Sequence, residues 1–449
     1  MSRSENHGLG PTAAVLIGIL AIGDAMAATC FVKPGAPGGN DGSTWGTATA
    51  LQTALASVNC SELWVAAGTY KPTAIADRSV SFVVGPGTAV YGGFAGTETA
   101  RAQRDPTANV TILSGDIDGN DTGVGGVDQT TADIQGGNSY HVLRMNGTVV
   151  GQPINAGTVV DGFIITGGAA TGSYPAGYGG ALYCDAGLVA TAVCSPTLSN
   201  LAFSGNLAIT AGGAIFNQAI YGGNASPTIT NVTFRGNGAI NSGGTARGGA
   251  IYNEGYGGHS SPVLTNVTFA GNTASNTSAD AQGGAMYNSG YYGISNPVLT
   301  NVTFSGNSAD FGGAIFAEGI GGTCNPVLVN TILWGNSISA GGIGPQIDEA
   351  DGARSTITYS VVEGGCPTNA PLECDGTLIT ADPKLGPLQA NSGFAPTFAL
   401  GVGSSAINAG NDAACPATDE RGIARPQGAH CDVGAFESDR IFLGGFEAP

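Results

Sequence analysis

Charge is scarce in this chain, and positive charge is the scarcest. Only 10% of the 449 residues are charged, and 14 Lys and Arg stand against 32 Asp and Glu, which gives a formal net charge of −18. Nucleic-acid binding requires a basic footprint, and anionic membrane surfaces attract basic proteins. The composition therefore predicts that nucleic acid is not a partner, and it disfavours binding to anionic membranes.

Long hydrophobic runs are also missing. The apolar run AAVLIGILAIG at 13–23 is too short to cross a bilayer. It follows Arg3 and precedes the sequence AMA at 25–27, a pattern typical of a signal peptide and its cleavage site. We therefore expect an exported protein, secreted or at the outer cell surface of a bacterium, with no membrane span after signal removal.

Cysteine is infrequent, with nine residues and no CxxC motif, so a zinc site is not expected. In an exported chain, cysteines that lie close in sequence favour disulfides. Cys324 is the odd residue. The predicted pairs are Cys30–Cys60, Cys184–Cys194, Cys366–Cys374 and Cys415–Cys431.

Glycine, by contrast, is abundant at 76 residues, and two short phrases recur every 29–36 residues. A period of this size indicates a solenoid or another repeat architecture. The phrase NVTFxGN begins, with variations, at Asn200, Asn231, Asn266, Asn301 and Asn330. The phrase GGA-x-aromatic ends at Tyr183, Phe216, Tyr252, Tyr287 and Phe316.

The repeated asparagine marks a corner. Val232 and Phe234 lie two residues apart and face the same side of a strand, but Ile229 is out of phase with them. A corner between two short strands explains this slip, and asparagine tolerates the left-handed conformation that a corner requires. Stacked coils would then align the corner side chains in a hydrogen-bonded amide ladder. The ladder would contain Asn200, Asn231, Asn266, Asn301 and Asn330.

These patterns predict an all-β fold, a right-handed parallel β-helix in which each coil buries its apolar face against its neighbours. Phe203, Phe234, Phe269, Phe304 and Leu333 would form an inner stack. The segment 47–58 has apolar residues at helical spacing. The expected organisation is a signal peptide at 1–27, an N-terminal cap with a short helix at 28–62, the β-helix at 63–365, C-terminal coils and a closing region at 366–437, and a tail at 438–449.

The two phrases resemble the repeats of polymorphic outer-membrane proteins and related right-handed parallel β-helix proteins. The segments at 42–55, 64–73, 90–105 and 159–168 look like the front half of a large group of secreted bacterial β-helix proteins. The segments at 382–400, 403–412 and 421–437 resemble the closing part of the choice-of-anchor Q type. That resemblance implies a secreted β-helix protein with a variable C-terminal anchor, in a group whose members mostly have no assigned reaction.

Catalytic residues are not obvious in the sequence. The column that follows the GGA phrase contains the candidates Asp185, Glu254 and Glu318. Asp185 and Glu254 stand two coils apart, and so do Glu254 and Glu318. With coils about 4.8 Å apart, each pair is separated by roughly 9.6 Å, at the upper edge of the spacing in inverting glycosidases. Scattered solvated carboxylates are the more frequent explanation, and Arg235 and Arg247 lack an evident acidic cluster.

A calcium ion is the one cofactor that the sequence suggests. Asp116, Asp118, Asn120 and Asp121 imitate the start of a calcium loop, although the distant glutamate is missing. A polar turn without metal is the alternative interpretation.

The aromatic column is open to two interpretations. If Tyr183, Phe216, Tyr252, Tyr287 and Phe316 face solvent, they form a strip for stacking sugars; if they face inward, they are core. The loops add Tyr221, Tyr256, Tyr291 and Tyr292. The sequence thus favours a non-enzymatic, adhesive or structural surface protein that contacts a polysaccharide or cell-surface glycan. The alternative is a polysaccharide lyase or glycoside hydrolase acting in a groove of the β-helix.

Overall fold

The computed structural model describes Met1 and residues 28–438, apart from 279, 368–372 and 376. The rest of the predicted signal peptide and the tail at 439–449 lie outside the described residues.

Strands dominate the described chain. One α-helix, α1 (Leu51–Ala56), and short 3-10 turns at Trp45–Thr47, Arg101–Gln103 and Thr131–Asp133 accompany them. The strands are β1 (Ala28–Val32), β2 (Cys60–Ala66), β3 (Gly68–Tyr70), β4 (Phe82–Val83), β5 (Ala89–Phe94), β6 (Thr111–Ser114), β7 (Leu143–Asn146), β8 (Val159–Thr166), β9 (Ala169–Ala170), β10 (Leu182–Ala186), β11 (Thr197–Ser204), β12 (Leu207–Ala208), β13 (Ile215–Ala219), β14 (Thr228–Arg235), β15 (Gly238–Asn241), β16 (Ala246–Arg247), β17 (Ile251–Glu254), β18 (Val263–Ala270), β19 (Thr273–Asn276), β20 (Ala281–Gln282), β21 (Met286–Ser289), β22 (Val298–Ser305), β23 (Ser308–Phe311), β24 (Ile315–Glu318), β25 (Val327–Val329), β26 (Ile332–Trp334), β27 (Ser337–Ile343), β28 (Ile347–Ala350), β29 (Thr356–Thr358), β30 (Val361–Val362), β31 (Glu373–Cys374), β32 (Leu385–Gln389) and β33 (Thr397–Leu400).

Three sheets run along the molecule, and the coils from β8 to β28 contribute to all three. The first sheet has the order β1-β2-β5-β8-β11-β14-β18-β22-β25-β29-β31, with β3, β6, β26 and β30 beside this path. The second sheet has the order β28-β24-β21-β17-β13-β10-β7-β4. The third sheet has the order β16-β20-β23-β19-β15-β12-β9, with β27 beside β23. Their strands pair in parallel, and only the hairpin β32–β33 is antiparallel among these named strand pairs.

The predicted parallel β-helix is confirmed. The repeated phrase stacks on itself without slippage, since Val232 pairs with Val267 and Val267 with Val302. Parallel strands in one sheet are connected by right-handed crossovers in nearly all known folds. The predicted inner stack also forms. The centres of adjacent rings lie 4.6–4.9 Å apart and the ring planes are nearly parallel in the stack of Phe203, Phe234, Phe269 and Phe304. Leu333 continues this stack and is fully buried.

The ends differ from the expected boundaries. The β-helix begins before residue 63 because β1, inside the expected cap, already pairs in parallel with β2. The helix predicted at 47–58 is present but shorter, and Leu51 and Ala54 are its buried residues. Parallel pairing also continues past residue 365, to β31 and to the bridge between Val361 and Ile379.

The four predicted disulfides are all present, and each closes a local loop of 8 to 30 residues. They join Cys30 to Cys60, Cys184 to Cys194, Cys366 to Cys374 and Cys415 to Cys431. Cys324 is a free thiol and is buried.

The corner asparagines adopt the predicted left-handed conformation. Their φ angles lie between 49° and 56°, and an amide ladder links them in part. Asn231 donates to Asn200, Asn266 donates to Asn231, and Asn330 donates to Asn301. The ladder is interrupted between Asn266 and Asn301, because the amide of Asn301 donates instead to carbonyl oxygens of residues 432 and 434.

A second amide ladder, which the sequence analysis missed, is continuous and more deeply buried. It contains the asparagine that ends each repeated phrase, and neighbouring side chains are joined at 2.8–2.9 Å. Each interior member also donates to a main-chain carbonyl of an adjacent coil; Asn272, for example, donates to Phe234. The ladder runs through Asn206, Asn237, Asn272, Asn307 and Asn336.

The closing region folds back over the outer face of the first sheet. Glu420 is buried there between two threonines of that sheet: Thr268 donates to Oε2 at 2.6 Å, and Thr233 lies 2.7 Å from Oε1. Thr233 Oγ1 also lies 2.7 Å from the carbonyl oxygen of Pro396. Because one hydroxyl carries one proton, both contacts are satisfied only when Glu420 is protonated and donates to Thr233. Burial, with a contribution from Asp419, raises the pKa of Glu420 well above its usual value. This direction agrees with a protonated Glu420.

We expect Asn272→Ala to lower the free energy of unfolding by about 2 kcal/mol or more, and Asn266→Ala by about 1 kcal/mol. Removing Asn272 leaves buried groups of Asn237 and Phe234 without partners, and each unmet buried group costs about 1–3 kcal/mol. Asn266 stands in the interrupted ladder, where its own Oδ1 has no hydrogen-bond partner among the described residues. Chemical denaturation of the two variants tests this order, and equal losses would contradict it.

We expect Glu420→Gln to remove part of the pH dependence of stability. The fold raises the pKa of Glu420, so it keeps a proton that the unfolded chain loses at lower pH. The contribution of Glu420 to the free energy of unfolding is therefore complete below the usual glutamate pKa and declines as the pH rises above it. The slope is at most about 1.4 kcal/mol per pH unit. The test compares denaturation midpoints of the wild type and the variant between pH 5 and 8. Parallel profiles would show that Glu420 is already ionised in the fold.

Candidate functional site

The outer face of the second sheet carries the residues that the sequence singled out for chemistry. In β17, Ile251 and Asn253 point into the coil, whereas Tyr252 and Glu254 point outward, and the other strands of this sheet follow the same register. The outer positions therefore form two columns, one aromatic and one polar. We call the polar column, Asp185, Gln218, Glu254, Ser289 and Glu318, the polar track.

The aromatic column points outward, but the expectation that its rings are exposed to sugars is wrong. The five rings are between 0% and 5% exposed. They form an apolar cluster of their own, apart from the coil interior, and Tyr178, Ala211 and Phe311 cover it from the side of the third sheet. The sequence could not reveal this cover, because these residues are distant in the chain. The buried rings are Tyr183, Phe216, Tyr252, Tyr287 and Phe316.

Two arginines lie over the aromatic column. The guanidinium of Arg247, from the third sheet, lies 5.3 Å from the ring centre of Tyr287, and that of Arg144 lies 5.7 Å from the ring centre of Tyr183. A cation over an aromatic face is attracted by the ring. The sequence analysis found no evident acidic cluster near Arg247. In the folded chain burial lowers the pKa of Arg247, but Tyr287, Tyr252 and Glu318 together outweigh this effect and raise it.

The polar track is a set of connected hydrogen bonds. Glu254 accepts from Gln218 at 3.2 Å and from Tyr252 at 3.4 Å, and Glu318 accepts from Ser289 at 2.7 Å. Glu254 and Glu318 flank Ser289 on adjacent strands, so the two strands that carry them are roughly 9.6 Å apart.

Burial changes the acidity of the track. It raises the pKa of Glu254, against the lowering effect of the hydrogen bonds from Gln218 and Tyr252. It also raises the pKa of Asp185, against the opposite effects of the Gly187 N–H and Arg144. The track thus contains carboxyl groups that hold their protons more tightly than exposed ones do.

Some donors beside the track have no partner. The hydroxyl of Tyr287 and the Nε atoms of Arg144 and Arg247 are buried without a hydrogen bond among the described residues. Because most buried polar atoms in proteins are paired, these three donors have the capacity for a further hydrogen bond.

The expected calcium loop is organised by its own backbone. Asp116 accepts from the N–H groups of Gly119 and Asn120 at 2.7 and 3.1 Å, and Asp118 accepts from that of Gly137 at 2.8 Å. These contacts are those of a polar turn.

Asp121 accepts from Gln135 and from Asn138. Its carboxyl group also interacts with that of Asp128, which the sequence analysis did not identify. Burial, followed by the charge of Asp121, raises the pKa of Asp128 to about 8. Within the described residues, no three His, Cys, Asp or Glu side chains are grouped to hold a metal ion. Calcium at this loop stays a prediction.

Tyrosines occupy the corner that follows the second sheet. Tyr256 and Tyr291 stack at 5.1 Å with their rings nearly parallel. Tyr221 meets Tyr256 edge to face at 5.7 Å, and Tyr292 meets Tyr291 in the same way at 4.7 Å. Tyr221 and Tyr292 are 60% and 62% exposed. We call these four residues the tyrosine platform.

Comparison with known proteins supports the repeats. The model of the Chlamydia polymorphic membrane protein repeat matches this chain at residues 200–218, 231–254 and 301–318. The matched residues make up much less than half of the chain. No curated protein matches the chain. Among solved structures, the chain is similar to the crystal structure of pectate lyase Pel9A, with 15% identity, a TM-score of 0.44, and coverage of 92% of this chain and 96% of that one. At this level of similarity, no residue and no activity is carried over from that enzyme.

The repeats and the disulfides together indicate the general cellular location of the protein. Polymorphic membrane protein repeats, together with four disulfide bonds, indicate an extracellular or surface protein. None of the helices in the described part of the chain has the length and apolar character of a membrane span.

Proposed function

We propose that this protein is exported, secreted or held at the bacterial surface, and that it binds a polysaccharide along the polar track without cleaving it. The observation that carries the proposal is the track itself, where alternate coils place a partly exposed carboxyl side chain on the outer face of the second sheet and the buried Gln218 and Ser289 stand between them. A linear polymer of hydroxylated units suits such a repeated row. Many weak contacts along one polymer add up to useful avidity.

The charge of the track favours a neutral polymer. Asp185, Glu254 and Glu318 belong to it, and the whole chain carries −18. An acidic polysaccharide would be repelled by this field. Neutral sugars, whose hydroxyls both donate and accept, can pair with carboxyl and amide groups alike.

A second candidate function is hydrolysis of the bound polymer. It is favoured by the placement of Glu254 and Glu318 on either side of Ser289, with Arg247 nearby. Inverting glycosidases hold two carboxyl groups about 6.5–9.5 Å apart, one as general acid and one as general base. The raised pKa of Glu254 suits the acid. The strand separation lies at the wide end of this range, so we rank hydrolysis second.

We expect Glu254→Gln and Glu318→Gln each to weaken binding of a neutral polysaccharide about tenfold. That loss corresponds to about 1.4 kcal/mol, which is at the upper end of the range for one ordinary hydrogen bond. Both variants keep the size of the side chain. In Glu318→Gln the amide oxygen still accepts from Ser289, and in Glu254→Gln it accepts from Gln218 while the amide NH2 donates to the hydroxyl of Tyr252. Binding is measured by isothermal titration against a panel of neutral polysaccharides, with assays for new reducing ends and unsaturated products.

The matched control is Glu373→Gln, because Glu373 is exposed on the first sheet and forms an ion pair with the exposed Arg354, far along the axis from the track. Its affinity should equal that of the wild type. Unchanged affinity in both track variants would refute the track as the binding site. New reducing ends that disappear in either track variant would establish hydrolysis in place of simple binding.

A further inference from the structure

The corner after the second sheet repeats one strained backbone conformation in successive coils. Main-chain hydrogen bonds align the equivalent positions: Tyr221 N–H donates to Tyr256, Gly257 N–H donates to Tyr291, and Tyr292 N–H donates to Ile320. The residues at the equivalent corner position are therefore Tyr221, Gly257, Tyr292 and Gly321. All four have left-handed φ angles, of 53°, 61°, 49° and 63°.

Glycine adopts this conformation without a steric penalty, whereas a bulky aromatic residue in it is an outlier. Two coils use glycine here, so the fold itself does not require tyrosine. Tyr221 and Tyr292 nevertheless occupy the position, and most of each side chain is exposed, which shows that their rings do not serve the core. Strained residues of this kind are concentrated at ligand-binding and active sites.

The remaining tyrosines hold the two exposed rings in place. The stacked pair Tyr256 and Tyr291 stands between them, and each exposed ring packs edge to face against one member of the pair. Gly321 completes the support on one side, because a Cβ atom there would lie 2.5 Å from the ring of Tyr292. The exposed rings are thus fixed before any ligand arrives, which lowers the entropy cost of binding.

We infer that the tyrosine platform is a second binding surface, on which Tyr221 and Tyr292 stack against sugar rings of a neutral polysaccharide chain that runs along the β-helix axis. The inference rests on the proposed function for the class of ligand, but it places the binding energy in aromatic stacking at the corner.

Geometry and charge support a neutral carbohydrate on this surface. Tyr221 and Tyr292 belong to coils two steps apart, so their strands are separated by roughly 9.6 Å along the axis, which provides two stacking points for an extended chain. Tyrosine offers an apolar face together with a polar hydroxyl, as an amphipathic sugar ring requires. Glu254 precedes Tyr256 by two residues, so a chain on the platform lies beside the polar track.

The test uses the mature chain with Tyr221→Gly, Tyr292→Gly and the double substitution. The matched control is Tyr359→Gly, because Tyr359 also has a left-handed φ, of 47°, and is 37% exposed, but lies at a corner of the first sheet. Melting midpoints of all these variants should equal or exceed that of the wild type, since glycine relieves the strain. Affinity for a neutral polysaccharide should fall at least tenfold in each platform variant and stay unchanged in Tyr359→Gly.

Two further variants test whether the ring of Tyr292 itself, and its position, are responsible for the binding. Tyr292→Phe keeps the ring and should keep at least half of the affinity. Gly321→Ala should displace the ring of Tyr292 and weaken binding as Tyr292→Gly does. Wild-type affinity in the double glycine variant would overturn the inference.

The remaining outcomes distinguish the inference from the proposed function. If Glu254→Gln weakens binding while the platform variants do not, the polar track is the site and the platform inference fails alone. If the wild type binds no neutral polysaccharide, both fail. Self-association that is lost in the platform variants, measured by sedimentation, would overturn the inference and identify the platform as an interface between copies of the chain.

Discussion

In-register parallel pairing of successive coils is the constraint on which the rest of the structure depends. Because a repeated phrase pairs with itself one strand away, every position of the repeat becomes a column about 4.8 Å in pitch. Inside the coils this yields rings stacked at 4.6–4.9 Å and an unbroken amide ladder. Each coil is stabilised by its neighbours, and a slip by one residue would break all columns together.

The columns explain how much of the fold the sequence could predict. Corner asparagines, inner phenylalanines and cysteine pairs depend on residues within one repeat or on short separations, and all of them were predicted. The inner ladder through Asn272 was overlooked although its signal, the last residue of NVTFxGN, recurs as regularly as the first. The interruption of the corner ladder at Asn301 could not be predicted, since it depends on residues 432 and 434 of the closing region, more than a hundred positions away.

The candidate site was predictable only in part, for a related reason. Period-two alternation separates Tyr252 and Glu254 from Ile251 and Asn253, but it left open which of the two pairs faces the interior. Whether an outward side chain meets solvent depends on what lies over it, and here the third sheet brings Arg247 and its neighbours across the aromatic column. Burial then raises the pKa of Glu254, so the chemistry of the track results from a contact between separate sheets.

Variation within a column is a better guide to function in this fold than the repeat itself. A column that keeps one residue type, as the asparagine and phenylalanine columns do, serves stacking, because like side chains pair best with like at this spacing. The polar track changes from Asp to Gln, Glu, Ser and Glu, and the left-handed corner alternates between Tyr and Gly. Stacking does not demand such changes, and at the corner tyrosine is less favourable than the glycine that two coils use. The corner, where the repeat is broken at a cost to stability, is therefore the place where we propose that a ligand, and not the fold, accounts for the residue.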